Sequence, residues 1–273
     1  MGFEFSYVDP VAGAAAVEAA IRPTTKLVWL ETPTNPMLKL TDIAAVAEVC
    51  KRRGRPARGR QHLHDAVPAA AARARRRLVV HSTTKYLNGH SDVVGGCVVV
   101  NSDRAARAPG LPAERGRRGA VADGQLPGDA RHQDPARAHG SPRGERPRPA
   151  EWLSAHPQVV KASSTPASTA TRSTTWPSAS RCGFGGMISF VLKRRPRRPS
   201  RRFLSTCQLF TLAESLGGVE SLIEHPAIMT HASIPADRRN ALGIVDGFIR
   251  LSVGIEDLDD QRADLERAFA AAR

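Results

Sequence analysis

The chain has 273 residues, a formal net charge of +14 and an isoelectric point near 10.8, long enough for one large or two modest domains with a real core. Arginine runs such as Arg73–Arg77 and Arg194–Arg202 carry much of that charge with few aromatics beside them for base stacking, so basicity alone does not mark a nucleic-acid surface. No apolar run approaches a membrane span, and the scattered Cys50, Cys97, Cys182 and Cys207 form no C-x-x-C pair, which favours a reduced cytoplasmic protein without signal peptide over a disulfide scaffold or zinc site.

In chain order, Asp9 and Pro10 open a helix whose apolar face includes Val17 and Ile21. Lys26–Leu30 reads as a buried strand that stops at the prolines of Glu31-Thr-Pro-Thr-Asn-Pro36. Glu31 and Asn35 are left on a loop at the strand's carboxyl end, where open α/β sheets place their ligands. Thr41 caps a second helix through Ile43, Val46 and Val49, closed by Gly54. A strand should follow, yet Arg55–Arg77 is polar, Arg- and Ala-rich, and has neither strand nor helix period. The pattern resumes in two short apolar runs, Leu78–Val80 and Val93–Val100, which read as buried strands.

Between those runs lies His81-Ser-Thr-Thr-Lys-Tyr-Leu-Asn-Gly-His-Ser-Asp92. A lysine on a strand-end loop, preceded by hydroxyls at Ser82 and Thr84, suits attachment to a carbonyl cofactor whose phosphate those hydroxyls hold. For a bare S-x-T-K alone, a surface lysine in a polar loop is the simpler reading. Pattern is lost again from Pro109 to about Pro149, and Glu151–Pro157 reads as the end of a helix. Ser163–Arg172 resembles a Ser/Thr-rich linker, and Arg194–Ser200 is a shorter irregular patch. Beyond these, Gly183–Leu192 and Ile249–Ile255 read as strands, Arg202–Leu209 as helical, and Phe210–Leu222 as a strand and turn. The tail from Glu256 is a helix with Leu258, Leu265 and Phe269 on its apolar face.

The whole lysine string resembles the pyridoxal-phosphate (PLP) motif of the Cys/Met-metabolism enzymes, the cystathionine γ-synthase and γ-lyase family. The resemblance implies an α/β fold of fold-type I, aspartate aminotransferase-like, with a mostly parallel sheet flanked by helices and a smaller α/β C-terminal domain. It implies pyridoxal 5'-phosphate as cofactor, a small-molecule sulfur amino acid as substrate, a homo-oligomer (dimer or tetramer), and neither nucleic acid nor membrane as partner. The implied chemistry is γ-replacement or β/γ-elimination on cystathionine or homoserine-ester substrates. Residue by residue, Lys85 matches the Schiff-base lysine and proton carrier, and Ser82 and Thr84 match phosphate contacts. Asn35, in E-T-P-T-N-P, matches the group that hydrogen-bonds the cofactor's ring oxygen, with Glu31 supporting that loop. Arg250, in R-L-S-V-G, matches the α-carboxylate clamp, a task suited to a planar bidentate fork. Ser215 matches a serine lining the site near the lysine, and Glu214 beside it falls where family members differ, an acid there favouring a distal amino group.

Other stretches depart from the family. Back-translating Gly59–Ala69 and regrouping from the second base can spell V-D-N-T-F-M-T-P-Y-L, and Ser163–Arg172 can similarly spell V-L-Y-P-G-L-D-S-H-P, both close to the family's text. We therefore read these segments as shifted-frame coding. On that reading 1–130 is the remnant of the large PLP-binding domain, with 55–77 and 109–130 out of frame. Residues 131–273 are the C-terminal domain, with 131–149, 162–182 and 194–200 out of frame. The aspartate expected to face the pyridine nitrogen falls at Arg60, where a cation opposes ring protonation. The N-terminal third of the family pattern, with its phosphate loop and stacking tyrosine, is absent from the sequence, so impaired activity is expected. The competing readings are an inactive pseudogene-like product and a basic nucleic-acid-binding protein. His62, His64, His81 and His90 do not suggest a metal site, since the first two lie in a shifted stretch and the others in the lysine motif.

Overall fold

A computed structural model describes residues 2–9, 12–54, 57–60, 78–100, 149–164, 186–193 and 197–273. Two sheets organise these residues. The first has strand order β1-β2-β3-β4, built from β1 (Val28–Glu31), β2 (Ala57–Arg60), β3 (Leu78–Ser82) and β4 (Gly96–Val100). Its first three strands are parallel, and β4 runs antiparallel to β3 with His81 opposite Cys97. Helices α1 (Gly13–Ala20) and α2 (Ile43–Arg52) pack against it through Val17, Val46 and Cys50, joined by Val28 and Leu30.

The second sheet has order β5-β6-β9-β8-β7. Its strands are β5 (Val159–Ser164), β6 (Met187–Leu192), β7 (Thr211–Leu212), β8 (Leu222–Glu224) and β9 (Phe248–Ser252). Three helices accompany the described part of it: α3 (Pro149–Ala155), α4 (Arg197–Thr206) and α6 (Leu258–Ala271), with a short α5 (Ala236–Ala241) leading into β9. Strand alternation divides its central residues between two faces. Ile188, Phe190, Ile223, Ile249 and Leu251 enter the main core with Phe203, Leu265 and Phe269. Phe203 stands edge-on to Phe269 with ring centroids 4.8 Å apart. The opposite face carries Met187, Ser189, Leu222, Glu224, Arg250 and Ser252, matched by register across β6, β9 and β8. That face looks toward the loops of the first sheet, because Met187 and Leu222 pack with Tyr86 and Leu38.

Several sequence expectations change. A strand does follow Gly54: β2 lies between β1 and β3, with Glu31 opposite Arg60 and Arg60 opposite Val80. Backbone pairing is indifferent to side-chain period when open edges lie on both sides. Strand β5 likewise runs through Ser163 and Ser164, whose backbones pair with Ser189 and Ile188 on its one neighbour, β6. Helix α4 starts at Arg197, inside the patch read as irregular and five residues before the expected Arg202. The remaining shifted-frame assignments, at 55–56, 61–77, 109–148, 165–182 and 194–196, lie outside the described residues. Strand β1 is half-exposed rather than buried, with Trp29 50% exposed, since Val28 and Leu30 face the helices. Asp42, not Thr41, caps α2, its carboxylate accepting from Ala45 N at 3.0 Å. Thr41 is drawn away, its own N–H donating to Thr32 Oγ1 at 3.1 Å. Ile21 lies just past the end of α1. Val93 and Val94 precede β4 rather than joining it, and Val94 is 75% exposed.

Candidate active site

Strand β3 ends at Ser82, and Thr83–Leu87 then wind as a single π-helical turn broken at Lys85 (φ −102°, ψ −139°). Such turns recur at functional sites because they re-aim one side chain out of a regular element. The loop braces itself: Thr83 N donates to Gly95 O at 2.9 Å, and Thr84 Oγ1 accepts from Gly95 N at 3.0 Å. Asn88 donates to Asp92 Oδ1 at 2.7 Å. Tyr86 is buried among Leu38, Met187, Leu216 and Leu222, its hydroxyl 3.2 Å from Ser252 Oγ. Anchored by its neighbour, Lys85 extends its amine to Ser215 Oγ at 2.5 Å.

The segment bearing Ser215 approaches because its backbone adopts conformations that side chains resist. Ser215 has φ +65° and Gly217 φ +109°. A Cβ at Gly217 would lie 3.2 Å from Lys85 Cβ and 3.3 Å from Tyr86 N, so glycine is what lets this turn press on the lysine. Gly217 N donates to Ser252 Oγ at 3.1 Å, tying the turn to β9.

A second constellation sits two residues along β9. Arg250, 4% exposed, donates from Nη1 to Asn35 Oδ1 at 2.8 Å and to Glu224 Oε1 at 3.1 Å. Beside Arg250 in register, Ser189 donates to Pro36 O at 2.9 Å, so two strands hold the loop that carries Asn35. Burial pushes the Glu224 carboxyl up and the Arg250 guanidinium down from their ordinary values, and their mutual attraction opposes both shifts. Burial also lowers His231, with the charge of Arg250 adding to it.

The structure thus brings together Lys85 with Ser215, and Asn35 with Arg250. Thr84 stands in the same loop, its hydroxyl also donating to Gly95 O at 3.2 Å. Ser82 is half-buried at the end of β3. Glu214 is exposed, and its charge acts on Glu224. Sequence reasoning missed Glu224, Ser189, Gly217 and the Tyr86–Ser252 contact. Glu224 lies just past the Phe210–Leu222 stretch read as a strand and turn, and its partner is 26 residues away and emerges only from register. Among the described residues, no group of three or more His, Cys, Asp or Glu could hold a metal ion.

The pattern of the Cys/Met metabolism PLP-dependent enzymes matches residues 1–124 and 146–270. The chain belongs to that family. It is 42% identical over 279 residues to a cystathionine beta-lyase of Coxiella burnetii, covering 98% of this chain and 69% of that one. It is 40% identical over 272 residues to a cystathionine gamma-lyase of Bacillus subtilis, covering 98% and 70%. To a cystathionine gamma-synthase of Mycobacterium tuberculosis it is 39% identical over 274 residues, covering 95% and 66%. A crystal structure of cystathionine gamma-lyase from Lactobacillus plantarum complexed with L-serine superposes with a TM-score of 0.81 at 35% identity, covering 98% of this chain and 69% of that one. The protein is a PLP-dependent enzyme of fold-type I, and its relatives are transsulfuration lyases and synthases.

The donor set fits that cofactor. A primary amine, two nearby hydroxyls and a half-buried amide are of the kinds that its aldehyde, phosphate and ring oxygen would take. Thr84 fits least directly, because its hydroxyl is engaged with Gly95 in both directions. The position expected to hold the ring-nitrogen acid, Arg60, ends β2 between Glu31 and Val80, at the same end of the parallel strands from which the site loops leave.

Proposed function

We propose that the chain acts on a sulfur amino acid of the cystathionine or homoserine-ester type, by β/γ-elimination or γ-replacement. PLP would supply the carbonyl that takes up an amine and the ring system that stores an electron pair. Lys85 would hold the cofactor and carry the substrate's α-proton, with Ser215 accepting a hydrogen bond from its amine and so fixing where the nitrogen stands. Asn35 would hold the cofactor's ring oxygen through its amide nitrogen while its Oδ1 takes Arg250, and Ser82 and Thr84 would receive the phosphate. Arg250 would grip the α-carboxylate, and the exposed Glu214 would meet a distal amino group. The observation that carries this reading is the convergence of Lys85, Ser215, Asn35 and Arg250 from four separate stretches of chain.

We also propose the division into a cofactor-binding part, 1–130, and a C-terminal part, 131–273, supported by the way the two sheets partition the chain. A homo-oligomer and a cytoplasmic location belong to the same proposal. Phe3, Phe5 and Tyr7, at 73%, 73% and 92% exposure, offer apolar surface to another subunit. No helix among the described residues is long and apolar enough to cross a membrane.

The deciding experiment adds PLP and then cystathionine. A visible absorbance band for the lysine-bound cofactor should form and be lost in Lys85→Ala, and an elimination should accumulate a 2-oxo acid, which a γ-replacement would not. Pyruvate would mark β-elimination, 2-oxobutyrate γ-elimination. Should wild type and Lys85→Ala give the same spectrum, the assignment of Lys85 fails.

A further inference from the structure

We propose that Glu224 is the positioning residue for Arg250, setting the direction of the guanidinium that receives a substrate carboxylate. This rests on reading Arg250 as the carboxylate clamp. In register, Ser189, Arg250 and Glu224 lie side by side across β6, β9 and β8, so their side chains share the face turned to the site. Glu224 reaches Arg250 from the sheet and Asn35 reaches it from the loop after β1, both at Nη1. Two acceptors in different directions on one nitrogen fix the rotation of a planar fork. Glu224 is 1% exposed and Arg250 4%, so solvent does not share in holding that orientation.

Lys85 and Glu214 also act on the Glu224 carboxylate from the two loops facing it, with opposite signs. Glu224 is thus within electrostatic reach of the lysine while its hydrogen bond goes to the clamp.

The alternative is that Glu224 merely stabilises a buried arginine. The two are separated by calorimetric titration of the PLP-saturated chain with L-alanine and with L-alaninamide, which lacks the carboxylate. The readout is the ratio of the two dissociation constants. Wild type should prefer L-alanine by about tenfold or more. Arg250→Met should abolish the preference. Glu224→Met, similar in volume but without an acceptor, should reduce it to about a third or less, and Glu224→Gln, which keeps an acceptor for Nη1, should retain at least about half. If wild type shows no preference, or Arg250→Met keeps it, the clamp reading itself falls. If Arg250→Met abolishes the preference while Glu224→Met leaves it intact, only the positioning role falls. Should Glu224→Met not fold, Glu224→Gln decides: retention supports the hydrogen-bonded positioning, and loss as complete as in Arg250→Met overturns it.

Discussion

At the scale of single residues, the lysine's surroundings depend on two unusual backbone positions. Ser215 is held at φ +65° while its Oγ accepts from Lys85 at 2.5 Å. Left-handed backbone costs a side-chain-bearing residue about 1 kcal/mol, a penalty glycine escapes. Ser215→Gly should therefore be about 1 kcal/mol more stable to urea than Ser215→Ala, although both lose the same bond. Both should lower turnover by about tenfold, since each leaves the amine without the acceptor that places it. A glycine variant no more stable than the alanine variant would mean the backbone strain is not borne there. Gly217→Ala tests the close approach instead. Its new Cβ would crowd Lys85 and Tyr86 at a backbone angle alanine resists. A loss of about 1–3 kcal/mol in urea unfolding is expected.

At the scale of elements, one carboxylate of the last helix holds the turn that leads into β7. Asp264 on α6, 1% exposed, accepts from the backbone N–H groups of Gln208, Leu209 and Phe210 at 2.8, 3.0 and 3.0 Å. Those three donors precede β7 and have no strand partner to satisfy them there, so the carboxylate acts as the anchor of the turn. Asp264→Ala should cost about 3 kcal/mol or more, read as a fall in the urea midpoint with unchanged slope. His156 fastens α3 in another way, stacked on Phe269 with ring centroids 3.8 Å apart. Burial lowers its proton affinity, and the Glu266 carboxylate only partly offsets that. The unfolded chain then binds more protons at this group, so its contribution to stability is present above about pH 6.5 and lost as pH falls through the lower folded value. Thermal midpoints measured between pH 7.5 and 5.5 should fall less steeply in His156→Gln than in wild type.

Much of this layer was legible from sequence because its signals are local: the lysine string, the α6 stripe ending in Phe269, the strand bearing Arg250. What escaped is long-range. Strand β2 has no side-chain period and exists through pairing on both edges, and Thr41 loses its capping role to Asp42 through a bond to Thr32. Glu224 acquires meaning only opposite Arg250.

At the scale of the whole molecule, the site is the seam between the two sheets. Lys85 and Tyr86, just past β3, meet Ser215 and Ser252; Asn35 and Pro36, just past β1, meet Arg250 and Ser189. Every one of these bonds joins a loop of the first sheet to a strand or turn of the second. A ligand held by Lys85 and Asn35 should therefore stabilise both sheets together rather than the first alone. At a PLP concentration about a hundredfold above its dissociation constant, linkage supplies about 2.7 kcal/mol, or a rise in thermal midpoint of roughly 5–10 °C for a chain of this size. Hydrogen exchange should slow at Leu30 in β1 and at Leu251 in β9 alike, and both effects should shrink in Lys85→Ala. Protection confined to β1 and β3 would show that the sheets are not coupled through the site. The second sheet would then be a neighbour of the cofactor pocket rather than a wall of it.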